Sequence, residues 1–412
     1  MVMEMKKGIK SASPILLALV LALYAPISGI EGVSDETTVI LVSDNSADLA
    51  ISMTLAISID ATIVVSPWGI FDETIAAKVV GQLPDRVIII GGSIAVPESY
   101  VEIFKSLGIN VERIGGADRF ETNQLVIEWM LQNNIEIRCE KVALIHGLDF
   151  VALEEMFSSI MNGECLVLLV KEENMINITR LIEKIALPEV EVIASNLINA
   201  TTIQTFLQVN ITGPVEILVT LNLTPVKERE RAIKAIERVK EELQIAIELA
   251  NDLIEVDEEV SQSIEMVQSL LEEAIQLTNS EEYGKAYVEL LEAMHLLQKI
   301  VHKVSLMIST GQTDLGFLLE QELELYVKML NEIETSGANV SVTMNIANEV
   351  KQLIQNKEYG RAREMINQLR QSVRESMQEA KKAEKPKPPI MPGPIQNITT
   401  PGIPSPWKPP GG

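Results

Sequence analysis

Short apolar runs recur through the first half of the chain, each closed by a polar or glycine corner. The runs at 39–42, 62–65, 87–90 and 111–114 are rich in Val and Ile. The run at 87–90 has no polar face, so it reads as a strand buried on both sides, as in a parallel sheet. Between the runs the apolar spacing lengthens to three and four residues, which predicts helices over 47–57, 71–82 and from Pro97 to the stop at Gly108. Alternation of strand and helix with short links predicts an α/β unit over 38–123. Residues 124–223 repeat this order in worn form. A helix over 124–132 precedes strands at 142–145, 166–170, 190–194 and 217–219, and Ser195-Asn196 stands where the first unit has Gly91-Gly92.

Past Pro225 the period changes to that of helices, with charges filling the gaps as far as 384. Glu282-Tyr283-Gly284-Lys285-Ala286 recurs 76 residues later as Glu358-Tyr359-Gly360-Arg361-Ala362. Each copy opens a helix after a long helix and a polar turn. This predicts an all-α domain of two helical hairpin or three-helix units packed antiparallel, serving as a projection or interaction domain. Residues 385–412 hold ten of the 18 prolines and have no apolar period, which predicts an extended Pro-rich tail. The fold class expected is therefore an α/β module of two Rossmann-like parallel-sheet units, the second degenerate, followed by the helical domain and the tail.

The candidate chemistry lies at the corners. Gly91-Gly92-Ser93 follows a buried strand, and backbone N–H groups there could cradle an anionic group. Gly115-Gly116 opens a second corner. Asp44 and Asp48, one helical turn apart, and the cluster Asp118, Arg119 and Glu121 also sit at strand ends. They read in two ways: as oxygen ligands for Ca²⁺ or Mg²⁺, or as a helix cap at Asp44 and a loop tie between Asp118 and Arg119. The three histidines, His146, His295 and His302, form no triad or metal cluster in sequence.

Two segments, IIIGGSIAV at 88–96 and RIGGADRFETN at 113–123, together resemble the signature of the cell wall-binding repeat 2 family. The stretch from Val39 through Asp44 and Asp48 to Ala50 is similar to that family's opening strand and helix start. The resemblance covers 37–123. It implies noncovalent attachment to cell-envelope polymers or a surface layer, with no catalysis and no cofactor. Three intact repeats are common in the family, whereas this chain has one intact and one worn copy. Assembly as a homo-oligomer could supply the missing copies.

Charge and address refine this picture. The net charge of −24 argues against nucleic acid and against anionic polymers held by a general field. Lys6, Lys7 and Lys10 precede an uncharged apolar stretch, so 1–30 reads as a signal peptide or, alternatively, an uncleaved anchor. Export agrees with six N-x-S/T sequons, at Asn177, Asn199, Asn210, Asn222, Asn339 and Asn397. Cys139 and Cys165 each precede a predicted strand; they read either as a disulfide or as two buried thiols. The function expected is an exported, noncatalytic surface protein. The alternatives are a helical adaptor binding a protein partner through 225–384, or a metal-dependent hydrolase using Asp44, Asp48 and Asp118.

Overall fold

The computed structural model describes residues 36–211, 216–219, 224–251, 258–311 and 315–383. The expected signal segment, the Pro-rich tail, Asn222 and Asn397 lie outside them. Two four-stranded parallel sheets form the α/β part. The first contains β1 (Thr38–Ser43), β2 (Thr62–Ser66), β3 (Arg86–Ile90) and β4 (Asn110–Ile114), in the order β2-β1-β3-β4. The second contains β5 (Lys141–His146), β6 (Cys165–Val170), β7 (Glu189–Val192) and β8 (Glu216–Val219), in the equivalent order β6-β5-β7-β8. The two-unit reading of the sequence is thus the observed architecture.

Strand alternation assigns each helix to a face. Ile40, Val42, Ile88 and Ile90 point toward α1 (Ser46–Ile59) and α4 (Arg119–Gln132), in a core shared with the second sheet. Val39, Leu41, Val87 and Ile89 point the other way, onto α2 (Glu73–Gly81) and α3 (Glu98–Ser106). In the second unit, α5 (Phe150–Met161) packs on α1 between the sheets, and α6 (Met175–Ile185) and α7 (Ala200–Asn210) complete the unit. Helix α1 is buried almost all round, which explains why Leu, Ile, Ala and Ser occupy every side of it rather than one stripe.

The helical region forms two three-helix groups, and neither projects away. The first comprises α8 (Pro225–Asn251), α9 (Glu258–Asn279) and α10 (Tyr283–Gly311). It packs on Phe150, Val151, Trp68, Ile70 and Leu197, all of which follow strands, so it covers part of the carboxyl end of both sheets. The second comprises α11 (Leu315–Thr335), α12 (Ser341–Gln355) and α13 (Tyr359–Ala383). Its Tyr326, Met329, Leu330 and Ile333 join the core formed by α2 and α3. Lys328 pairs with Glu73 at 2.7 Å and Lys381 with Asp85 at 2.5 Å. The 76-residue repeat is visible in packing: Ala286, Leu290, Leu297 and Val304 are buried in α10, as Ala362, Ile366, Val373 and Ala380 are in α13. The projecting helical domain expected from sequence is corrected on this point: the apolar faces of both groups are used to cover the α/β units. Among the described residues no helix is long and apolar enough to cross a membrane.

Candidate functional site

The first unit's two glycine corners meet at the carboxyl ends of β3 and β4. Gly91 has φ +116°, a conformation L side chains rarely adopt, and its N–H donates to Ile114 O at 2.9 Å. A Cβ on Gly115 would lie 2.5 Å from the Gly91 carbonyl carbon, and one on Gly116 would lie 2.5 Å from Glu121 Cγ. Gly115 is therefore required by the close approach of two backbones and Gly91 by its positive φ, while Gly116 leaves room for the Glu121 side chain. The Gly92 carbonyl accepts from Ala95 N and Val96 N, each at 3.0 Å. Ser93 and Ile94 remain exposed beyond this turn, Ile94 by 52%, as do Gly115, Ala117, Asp118 and Glu121 beside them.

The run from Asp118 to Asn123 was expected to be a loop before a helix starting at 124. It is instead the cap and first turn of α4. Asp118 caps that helix, accepting from Glu121 N at 2.8 Å, and accepts from Lys171 Nζ of the second unit at 2.8 Å. Burial works against ionisation of Asp118, but Lys171 and the capping N–H groups outweigh it and lower its pKa. Glu121 folds back to accept from Ala117 N at 2.5 Å, and Thr122 Oγ1 accepts from Gly116 N at 3.0 Å. Arg119 donates to Gly147 O at 3.3 Å and to Gln298 Oε1 of α10 at 2.8 Å. The expected Asp118–Arg119 tie is thus replaced by contacts from each to a different part of the chain. Phe120 packs edge-on against His146, with ring centroids 5.5 Å apart. Asn123, which the sequence analysis passed over, is fully buried; it donates to Val167 O at 3.0 Å and accepts from Leu169 N at 3.1 Å. The sequence signal for it was its place as the last residue of the signature-like segment at 113–123.

Asp44 and Asp48 do not share a site. Asn45, not Asp44, caps α1, accepting from Ala47 N at 3.0 Å. Asp44 accepts from Trp68 N at 2.9 Å and lines a cavity of about 290 Å³ between the β1 and β2 ends and the first helical group. Asp48 faces Gly91, and burial, opposed by the nearby Arg119 guanidinium, pushes its carboxyl up to about 6. Arg238 and Glu242 of α8 form the far wall of the cavity, 2.9 Å apart. Burial raises Asp44 and takes Glu242 to about 7, against the pull of Arg238 on both. Trp68, Leu148, Met294 and Leu297 supply apolar lining, and His295, whose pKa is lowered by burial, lies at the wall. Among the described residues no three His, Cys, Asp or Glu side chains converge as metal ligands.

The equivalent corner of the second unit is filled. Asp149 caps α5 through Ala152 N at 2.9 Å and accepts from Tyr287 Oη at 2.6 Å and Ser195 Oγ at 2.5 Å. Arg231 of α8 donates to Ala194 O at 3.1 Å and pairs with Glu155 at 2.8 Å. His146 Nδ1 accepts from Leu148 N at 3.3 Å. Cys139 and Cys165 are free thiols, pushed up to about 11 and about 12 by burial. The strands are parallel neighbours as expected, but the register sets Lys141, not Cys139, opposite Cys165.

No family model matches the chain. A 146-residue stretch, 34% of this chain, is 40% identical to an uncharacterized protein of Methanocaldococcus jannaschii, and the match spans 41% of that relative's length. Among solved structures, Cwp6 from Clostridium difficile is similar with a TM-score of 0.37 and 20% identity, over 48% of this chain and 31% of that one.

Proposed function

We propose that the protein is an exported, noncatalytic component of a cell envelope, held there by the intact first unit. The sequence resemblance to the cell wall-binding repeat 2 family supplies the envelope as destination. The carrying structural observation is that the first helical group covers the ends of β2, β5 and β7, while the glycine corners after β3 and β4 keep an exposed rim at Ser93, Ile94, Gly115 and Ala117. Carboxyl ends of strands are where open parallel sheets present ligands. The cations around this rim already have partners: Arg113 with Glu98 at 3.1 Å, Lys171 with Asp118, and Arg119 with Gly147 and Gln298. Binding there rests on shape, apolar contact and neutral hydrogen bonds, in keeping with the net charge of −24. The hydrolase reading is the less favoured one, since among the described residues Asp44, Asp48 and Asp118 do not gather as a set of metal ligands.

The test is co-sedimentation of the chain without residues 1–30 with isolated envelope material, beside its Ile94→Asp variant. The expected result is binding by the parent and loss of binding by the folded variant. Equal binding of the two, or none by the folded parent, refutes the proposal. Truncation at residue 223 is unsuitable for this test, because it strips Tyr287 and Arg231 from Asp149 and uncovers the core under α2 and α3.

A further inference from the structure

Four of the six sequons lie among the described residues, and the fold presents them differently. Asn177 lies within α6, and its Thr179 is buried with the hydroxyl donating to Met175 O at 2.9 Å. Asn199 uses its carboxamide oxygen to cap α7, accepting from Thr202 N at 3.1 Å. Asn210 commits its amide nitrogen to Phe206 O at 2.7 Å. All four asparagines are exposed, and among the described residues Asn339 differs from the other three in that its own sequon hydroxyl contacts its carboxamide. It is exposed in the turn between α11 and α12, and its amide nitrogen has no acceptor in the described structure. Its carboxamide oxygen accepts from Ser341 Oγ at 2.7 Å and from Ser341 N at 3.1 Å. The turn is anchored by buried Val340, while Gly337 has nothing within 4 Å of its Cβ position. Acceptor amide and sequon hydroxyl are thus already in contact on an open, fixed turn.

From this geometry we infer that Asn339 is, of the four sequon asparagines among the described residues, the one that accepts an N-linked glycan. The donor class is an oligosaccharide carried on a polyprenyl diphosphate. The Asn339 Nδ2–C1 bond to the sugar forms as the C1–O bond to the diphosphate breaks. The amide loses a proton, and the lipid diphosphate leaves with the bonding electron pair. Ser341 orients the carboxamide through its hydroxyl. Occurrence of the reaction in the cell rests on the export reading above; the presentation of Asn339 does not.

The experiment therefore uses the purified folded chain without residues 1–30, a single-subunit oligosaccharyltransferase accepting N-x-S/T, and a lipid-linked oligosaccharide, read by peptide mass. The expected outcome is the glycan mass on the Asn339 peptide and none on those of Asn177, Asn199 or Asn210. That mass is lost in Asn339→Gln and in Ser341→Ala, and retained in Ser341→Thr. An unmodified Asn339 peptide, while a free Asn-Val-Ser peptide in the same tube is modified, overturns the inference, and so does modification of Asn177 to an equal extent. A separate measurement on the source cells, fractionation into envelope and cytosol, addresses export alone: a cytosolic chain sinks the envelope reading and leaves the in vitro result standing.

Discussion

Asn123 gives the sharpest test of how the two units are joined. Strand β6 is an edge of its sheet, paired on one side only with β5. On the other side Asn123 stands in for a neighbouring strand, accepting from Leu169 N and donating to Val167 O. Asn123→Leu keeps a similar volume but leaves both backbone groups buried without partners. Each orphan costs about 1–3 kcal/mol, so the variant is expected to lose about 2–6 kcal/mol. Against a whole-domain stability of about 5–15 kcal/mol this is a large fraction. Two assays report it: urea denaturation of the folded chain, and amide exchange at Leu169, which should quicken about tenfold per 1.4 kcal/mol lost. Asn133→Leu serves as control, because that side chain is exposed and bonds only within its own helix, to Trp129 O. Asn123→Asp adds a sign. It sets a fully buried carboxyl against Val167 O, so its folded pKa is raised, and the variant should lose stability as pH rises from about 4. A loss under about 0.5 kcal/mol in Asn123→Leu, the range of ordinary surface changes, would refute the strand-substitute role.

Other perturbations probe the corners and the helical cover. Gly115→Ala forces a Cβ to within 2.5 Å of Gly91 backbone, so thermal denaturation should show a loss of about 1–3 kcal/mol or more, whereas Gly360→Ala, with open space around it, should show none. Arg231→Met leaves Glu155 and Asp149 without their buried cation and should cost about 3–5 kcal/mol in urea denaturation. Tyr287→Phe, which removes only the donor to Asp149, should cost about 1–3 kcal/mol in the same assay. Glu242 has a folded pKa raised to about 7, so its ionisation opposes folding and the stability it allows is lost as pH rises from its unfolded value through 7. Relative to the parent, Glu242→Gln should therefore gain stability on going from about pH 5 to about pH 8; a pH-independent difference would contradict the burial argument.

Periodicity made most of the fold legible. The β-branched runs became strands because a strand buried on both faces needs no polar alternation, and the 76-residue repeat returned as equivalent buried positions in α10 and α13. The site was less legible because a corner residue's partner is long-range. Nothing local distinguishes Asp44, which serves Trp68 N, from Asn45, which caps α1; both are short polar residues before a helix. Asp118 reads as a cap from its own neighbours, and it is one, but its second oxygen meets Lys171, 53 residues away. Arg119 looks like Asp118's partner in sequence and instead spans 179 residues to Gln298. The glycine pairs were visible as corners, yet only the fold shows that they serve each other.

The difference between the intact and the worn unit follows from one helix. Arg231 and Arg238 are seven residues apart on α8, two turns along one face, and each addresses the first corner of one unit. Arg231 meets Asp149 and Glu155 of the second unit, while Arg238 lies among Asp44, Glu154 and Glu242 at the first. In the second unit Ser195, standing where the glycine corner would be, supplies a hydroxyl to Asp149, and Tyr287 supplies another, so the carboxylate is fully satisfied and the corner closes. In the first unit Gly91 brings no side chain toward Asp48, and Asp44, which accepts from Trp68 N, borders a cavity. A hydroxyl donor in place of glycine thus ties the second unit's corner to Asp149, which Tyr287 and Arg231 of the helices also contact. Keeping glycine lets the first unit's corners pack on each other, with a rim at Ser93, Ile94, Gly115 and Ala117 left exposed.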